Sequence, residues 1–179
     1  MIFQETAING ACVVAPEPID DERGLFARTF CAEEFEARGL DGRVSQCNTS
    51  FNAHGGTLRG LHFQAEPHGE AKLVRCTRGA IYDVAVDLRP ESPSFRRWFA
   101  VELTEANRLA FFVPQGCAHG FQSLHDASEV LYQLSTPYVP GAERGVRWND
   151  PAFGVQWPQA PARGRTISER DAGYPDFTP

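Results

Sequence analysis

The run Thr57–Arg75, TLRGLHFQAEPHGEAKLVR, places Arg59, His62 and Lys72 on two neighbouring apolar segments. Lys72 is the only lysine in the chain; the other 16 of its 17 basic residues are arginines. A compact ammonium differs from a guanidinium in size, donor geometry and ease of titration, so a lone Lys beside a His and an Arg points to chemistry. A neutral imidazole is a suitable base for taking a proton from carbon, provided the resulting anion is stabilised. Lys72 or Arg59 at a carbonyl oxygen would supply that stabilisation electrostatically. A tyrosine such as Tyr132, with an ordinary pKa of about 10, can return a proton from the opposite side of the carbon. Base on one face and acid on the other amounts to inversion, the work of an epimerase. The same residues also fit a plainer reading, with His62 a hydrogen-bonded core histidine and Tyr132 a half-buried strand residue satisfied locally.

A second polar cluster lies at Phe112–Gln122, FVPQGCAHGFQ, around His119. Its Pro114, Gly116 and His119 resemble the second cupin motif, P-x-G-x-x-H. Metal-binding cupins also carry H-x-H in a first motif, and here that place reads His62-Phe63-Gln64. Two histidines with Gln64 between them, even helped by His68 or Glu70, make a poor transition-metal site, which wants three or four N, O or S ligands. No metal is expected, which leaves His62 and His119 for proton transfer or ligand binding.

These residues need a scaffold of strands. Gly and Pro punctuate brief runs rich in Val, Ile, Phe and Tyr at Ala11–Ala15, Leu25–Cys31, Arg43–Phe51, Thr57–Gln64, Ala71–Thr77, Ala80–Leu88, Trp98–Leu103, Leu109–Val113, Ala118–Leu124 and Ser128–Tyr138, all of which read as strands. Only Ala32–Arg38, AEEFEAR, reads as a helix, with Phe35 as its apolar contact and Gly39 as its stop. The pattern predicts an all-β sandwich or barrel with a tail after Trp157 wrapped over it as irregular structure. Strict alternation in Thr57–Gln64 would put Leu58, Gly60, His62 and Gln64 on one face and Arg59, Leu61 and Phe63 on the other. A small barrel holds a ligand among its inward side chains, so the polar residues of these strands, including Tyr132 and Tyr138, are the expected lining.

At 179 residues one domain is expected, 1–179, large enough to enclose a ligand cavity. A net charge of −6 gives no support for a nucleic-acid or anionic-membrane surface, so an anionic substrate must meet a local cluster of Arg and Lys. Five scattered cysteines without a CxxC fit reduced thiols. With no signal-like N-terminus and no long apolar run, the expected setting is the cytoplasm.

The motifs DERGLF (Asp21–Phe26), QCNTS (Gln46–Ser50), TLRGLHFQ, AKLVR, YDVAVDLR (Tyr82–Arg89), VPQGCAHGF, VLYQLSTPY, ERGVRWNDP (Glu143–Pro151) and SERD (Ser168–Asp171) run nearly end to end. In this order they resemble the dTDP-4-dehydrorhamnose 3,5-epimerases, cupin-fold enzymes of nucleotide-sugar metabolism. The resemblance implies a jelly-roll fold, an isomerase that needs no cofactor, a nucleotide-diphosphate sugar as substrate, and a homodimer with N-terminal strands crossing between subunits. It implies His62 as general base, Asp171 or alternatively Asp83 as the carboxylate orienting it, Tyr132 as general acid and Lys72 as stabiliser of the enolate oxygen. Arg59, Arg23 and Arg170 would contact sugar and diphosphate, with Arg170 replacing the family's usual Lys. Tyr138 would stack on the base, Gln46, Asn48, His119 and Glu143 would line the substrate, and Arg23 and Phe26 would serve the neighbour's site.

Two positions depart from the family's pattern. Arg28 stands where RG-x-F-x-E has Glu, and the family's QDN reads Gln46-Cys47-Asn48. If that position faces the base, a donor in place of an acceptor favours a base edge offering acceptors, as in CDP or GDP sugars; if Arg28 turns to solvent, stacking alone holds the base. Cys47 leaves open whether carbon 3, carbon 5 or both are inverted. Remaining alternatives are a monofunctional epimerase, a ketoisomerase of the same superfamily, and a non-catalytic nucleotide-sugar-binding cupin.

Overall fold

The computed structural model describes residues 1–178, and its regular structure is almost entirely antiparallel strand. In chain order these are β1 (Ile2–Glu5), β2 (Cys12–Ala15), β3 (Ile19–Asp21), β4 (Gly24–Phe26), helix α1 (Ala32–Glu36), β5 (Gln46–Asn52), β6 (Leu58–Gln64), β7 (Lys72–Arg78), β8 (Ala80–Asp87), β9 (Trp98–Thr104), β10 (Ala110–Val113), β11 (Cys117–Ser123), β12 (Ser128–Leu134), β13 (Glu143–Gly145) and helix α2 (Glu169–Ala172). One sheet has the order β1-β2-β10-β7-β12-β5 and the other β13-β6-β11-β8-β9, with β3-β4 a separate hairpin. No helix is long and apolar enough to cross a membrane among the described residues.

Three apolar layers follow from the strand patterns. Between the sheets, Val13, Val74, Phe111 and Val130 of the first meet Ile81, Ala85, Leu103 and Phe121 of the second. On the outer face of the first sheet, α1 buries Phe35 completely against Leu73 and Phe112, so the one helix legible in the sequence forms around that single aromatic. The outer face of the second sheet carries Leu61, Val84, Val86 and Ala118 beneath Val146, Phe153 and Trp157 of the C-terminal segment. That cover explains why β8 is buried on both faces and reads as a nearly continuous apolar run.

The strand boundaries differ from the sequence reading where partners end. The run expected at Leu25–Cys31 pairs only as far as Phe26, and the run Ser128–Tyr138 pairs only to Leu134. Strands β1, β3 and β13 and helix α2 have three or four residues each and carry no readable periodicity.

The alternation expected through Thr57–Gln64 is broken. On β6, His62 lies opposite His119 of β11, yet Arg59 lies opposite Phe121, so Gly60 and Leu61 together face Gly120. This bulge returns Arg59 to the same side as His62, contrary to strict alternation. Glycine is required on both strands. Gly60 has φ +108°, and a Cβ there would lie 2.6 Å from the His119 carbonyl oxygen, while a Cβ on Gly120 would lie 2.5 Å from that of Arg59. Gly60→Ala is expected to lower the unfolding free energy by about 1–3 kcal/mol. It is also expected to depress kcat more than KM, because it moves His62 relative to the Asp171 carboxylate that the Gly60 amide holds; a variant with wild-type urea stability and kcat would count against this role for the bulge.

Candidate active site

Between the two sheets opens a cavity of about 890 Å³. Strand β5 contributes Gln46 and Asn48, β6 contributes Arg59 and His62, β7 Lys72, β11 His119 and β12 Tyr132; Tyr138, Glu143, Arg170 and Asp171 also line its wall. Because β6 and β11 belong to one sheet and β7 and β12 to the other, the histidines project into the cavity from one side, and Lys72 and Tyr132 from the other.

His62 Nε2 is 2.8 Å from Asp171 Oδ1. The second Asp171 oxygen accepts the Gly60 backbone N–H at 3.0 Å, inside the bulge. Asp171 rides on the single turn of α2, whose N-cap Ser168 accepts the Asp171 amide at 3.1 Å. Burial would raise this carboxyl, but the hydrogen bonds from His62 and Gly60 and the charges of His62 and Arg170 prevail and hold it at about 2. The Asp171 anion therefore holds the proton on Nε2, and Nδ1 has no hydrogen-bond partner among the described residues.

The alternative carboxylate, Asp83, pairs elsewhere. It lies 2.8 Å from His119 Nε2 and is fully buried on β8. Its other oxygen has no partner among the described residues. Burial raises its pKa, and neither His119 nor Lys72 offsets that effect. The cavity thus holds two imidazole–carboxylate pairs of opposite electrostatic character. A carboxylate kept ionised stabilises a newly formed imidazolium, which favours the His62–Asp171 pair for accepting a proton.

Lys72 Nζ donates to the His62 carbonyl oxygen at 3.2 Å and is 3.1 Å from Glu70 Oε1, with both side chains only 9% exposed. Glu70 Oε2 in turn accepts from Gln64 Nε2 at 3.0 Å. Gln64, weighed from the sequence as a weak metal ligand, instead holds the Tyr138 segment: its Oε1 accepts the Val139 amide at 2.7 Å. No group of three or more His, Cys, Asp and Glu side chains is gathered as a metal site among the described residues. The sequence reading missed Glu70 as the counter-ion of Lys72; an acidic residue two places before a lone lysine was the available signal.

Tyr132 is half-buried, its ring 6.2 Å from that of His119 and 6.4 Å from that of Phe121. Burial and the nearby Asp83 charge raise its hydroxyl above the ordinary range, so it is protonated at neutral pH. At the mouth, Arg170 Nη1 donates to Glu143 Oε2 at 2.8 Å and Arg59 Nε donates to Asn52 Oδ1 at 2.9 Å. Tyr138 is 50% exposed on the rim.

Arg23, Phe26 and Arg28 are not brought to this cavity in their own chain. Arg23 and Phe26 lie on the β3-β4 hairpin, Arg23 paired with Asp21 and Phe26 74% exposed. Arg28 is held by Glu34 at 2.9 Å with its side chain 63% exposed.

Paired antiparallel sheets around a polar cavity, with imidazoles facing a tyrosine and a lysine, define a cupin-type jelly roll furnished for proton transfer at carbon. The family model described as dTDP-4-dehydrorhamnose 3,5-epimerase matches residues 5–178. The enzyme of that description from Methanothermobacter thermautotrophicus is 44% identical over 173 residues, covering 96% of this chain and 92% of its own. The crystal structure of dTDP-4-dehydrorhamnose 3,5-epimerase from Elizabethkingia anophelis NUHP1 superposes with a TM-score of 0.95 at 36% identity, covering 99% of this chain and 96% of that one. ChmJ, a 3'-monoepimerase from Streptomyces bikiniensis solved in complex with dTDP-quinovose, superposes with a TM-score of 0.87 at 36% identity, over 97% and 86% of the two chains. The chain belongs to the dTDP-4-dehydrorhamnose 3,5-epimerase family, and it is an isomerase acting on a nucleotide-linked sugar.

The depressed Asp171 value sets a pH window. A carboxyl lowered from 3.8 to about 2 on folding contributes stability that is fully present above 3.8 and is lost as pH falls through about 2. The stability difference between wild type and Asp171→Asn, from urea titrations at stepped pH, is therefore expected to be constant above that window and to shrink within it. A difference already shrinking at pH 6 would place the titration on another group.

Proposed function

We propose that this protein inverts carbon 3, carbon 5 or both in a dTDP-linked 4-keto-6-deoxy sugar, with His62 as base and Tyr132 as acid. The observation that carries this reading is their placement: His62 projects from β6 of one sheet and Tyr132 from β12 of the other. A sugar ring lying between them meets a base on one face and an acid on the other. His62 Nδ1 takes the proton from the carbon beside the keto group, and Asp171 stabilises the imidazolium through Nε2. Negative charge moves to the carbon 4 oxygen, where Lys72 stabilises it; Tyr132 then gives its proton to the other face of the carbon. Carbons 3 and 5 both flank carbon 4, so one enolate-stabilising group serves either inversion.

Arg59 and Arg170 at the cavity mouth suit the diphosphate, by charge-assisted pairing, and Tyr138 on the rim suits the base. Gln46, Asn48, His119 and Glu143 fit the remaining wall. The thymidine reading is supported by the dTDP ligand of the Streptomyces bikiniensis relative and by the commitment of Arg28 to Glu34, which leaves no donor from Arg28 in the cavity of its own chain. We further propose a homodimer in which the β3-β4 hairpin reaches the partner's site, carrying Arg23 and Phe26. Its exposed Ile19 and Phe26, 69% and 74% accessible, suit burial against a second copy. The cytoplasm is the proposed setting.

Two substitutions and the wild type test this reading in heavy water. His62→Ala should lower solvent-hydrogen exchange into a dTDP-4-keto sugar by roughly 10²- to 10⁴-fold while leaving binding nearly intact. Retained exchange would remove His62 from the base role. Tyr132→Phe should continue to exchange while product formation falls, since the proton returns to the face it left; normal product would assign the acid elsewhere. Deuterium at one carbon or at two in the wild type decides between single and double inversion.

Lys72→Arg should lose most turnover despite keeping its charge, because the pocket around Glu70 and the His62 carbonyl fits an ammonium. Near-wild-type kcat would mean that Lys72 survives only as a compositional accident.

A further inference from the structure

Tyr174 does not line the cavity, yet its ring stands edge-on to that of His62, with centroids 6.0 Å apart and planes at 71°. The room for it comes from Gly145. Gly145 lies directly opposite His62 in the β13–β6 ladder, so a side chain there would project on the same face as the imidazole. A Cβ on Gly145 would come 2.3 Å from both Cε2 and Cζ of Tyr174. The phenol ring thus occupies the side-chain position that Gly145 leaves empty beside His62.

His62 is thereby flanked on three sides. Asp171 holds Nε2, His119 is its cross-strand neighbour on β11, and Tyr174 fills the flank toward β13. We infer that Tyr174, seated on Gly145, is a positioning residue that keeps the imidazole in one orientation and one tautomer against Asp171. The inference rests on the base role proposed for His62. The tail has other anchors: Asp176 pairs with Arg147, and the Phe177 ring lies 5.1 Å from that of Phe153 and 6.2 Å from that of Phe95. Removing the Tyr174 ring therefore opens space next to His62 while the chain beyond it stays seated.

The requirement is for the ring's volume, because no hydrogen bond of the Tyr174 hydroxyl is found among the described residues. Tyr174→Ala should lower kcat by about 10- to 100-fold with KM changed by no more than about twofold, the signature of a misplaced base rather than a lost binding contact. Tyr174→Phe should restore wild-type kcat. Gly145→Ala, whose Cβ would meet both the ring and the Leu61 carbonyl oxygen at 2.9 Å, should lower kcat at least as far as Tyr174→Ala. In protein labelled with ¹⁵N-histidine and free of substrate, the His62 ring nitrogens should report a single tautomer in wild type and Tyr174→Phe, and a mixture in Tyr174→Ala. Wild-type kcat with one tautomer in Tyr174→Ala would overturn the inference, as would a Tyr174→Phe variant as impaired as Tyr174→Ala. The nitrogen signal is read without turnover, so it judges the positioning role even if His62→Ala proves active and the base role fails.

Discussion

The Asp171 carboxylate is the point on which the arrangement of the site depends. One oxygen meets His62 and the other meets the Gly60 amide in the β6 bulge. A single anion thereby joins the C-terminal turn, the irregular strand and the imidazole into one unit. Each partner constrains the others: the bulge presents the amide, the amide and imidazole keep the carboxyl ionised, and the ionised carboxyl fixes the imidazole's tautomer. The single turn of α2 is too short to be stable alone, so its capping by Ser168 and its contact with β6 are what hold the anion in place.

The contrast with the second imidazole–carboxylate pair shows how environment, rather than residue type, divides the roles. Asp171 receives two donors and the charge of Arg170; Asp83 receives one donor, lies fully buried and keeps an oxygen without a partner among the described residues. Desolvation therefore prevails at Asp83 and is overcome at Asp171. Lys72 is another buried charge, and Glu70 answers it at 3.1 Å. Such pairing lets an ammonium remain in a site that is largely removed from water, where a solitary charge would be costly. The same pairing fixes its position beneath the His62 backbone.

The sandwich turns these local arrangements into chemistry with a direction. Side chains from two facing sheets approach the cavity from opposite sides, and a sugar ring is thin enough to be met on both faces. Close approach of β6 and β11, permitted by glycine on each strand, sets how Arg59 and His62 stand relative to one another. The apolar layers outside both sheets, with Phe35 on one and Phe153 and Trp157 on the other, keep the inner faces from moving. Polar residues at the inter-sheet cavity are thus supported by apolar ones on every other side.

Much of this was legible in the sequence. Alternating and continuous apolar runs located strands β5 to β12, because the side-chain period of two is a local property of each segment, and AEEFEAR announced α1 through Phe35. The lone Lys72, the incomplete H-x-H at His62 and the order of the motifs indicated the chemistry and the family. The bulge at Gly60 and Leu61 was not legible, since it depends on Gly120 of another strand. Nor was the assignment of Asp171 to His62 and Asp83 to His119, or of Glu70 to Lys72, because these pairings link residues from different elements. Arg28 illustrates the same limit: its type suggested a base contact, but the fold gives it Glu34. Strands of three or four residues, such as β3 and β13, exist only through their partners and leave no period of their own. Residue types and local periodicity fix which groups are available; only the packing of the two sheets and the tail decides which of them touch, because those contacts arise between segments that are far apart in the chain.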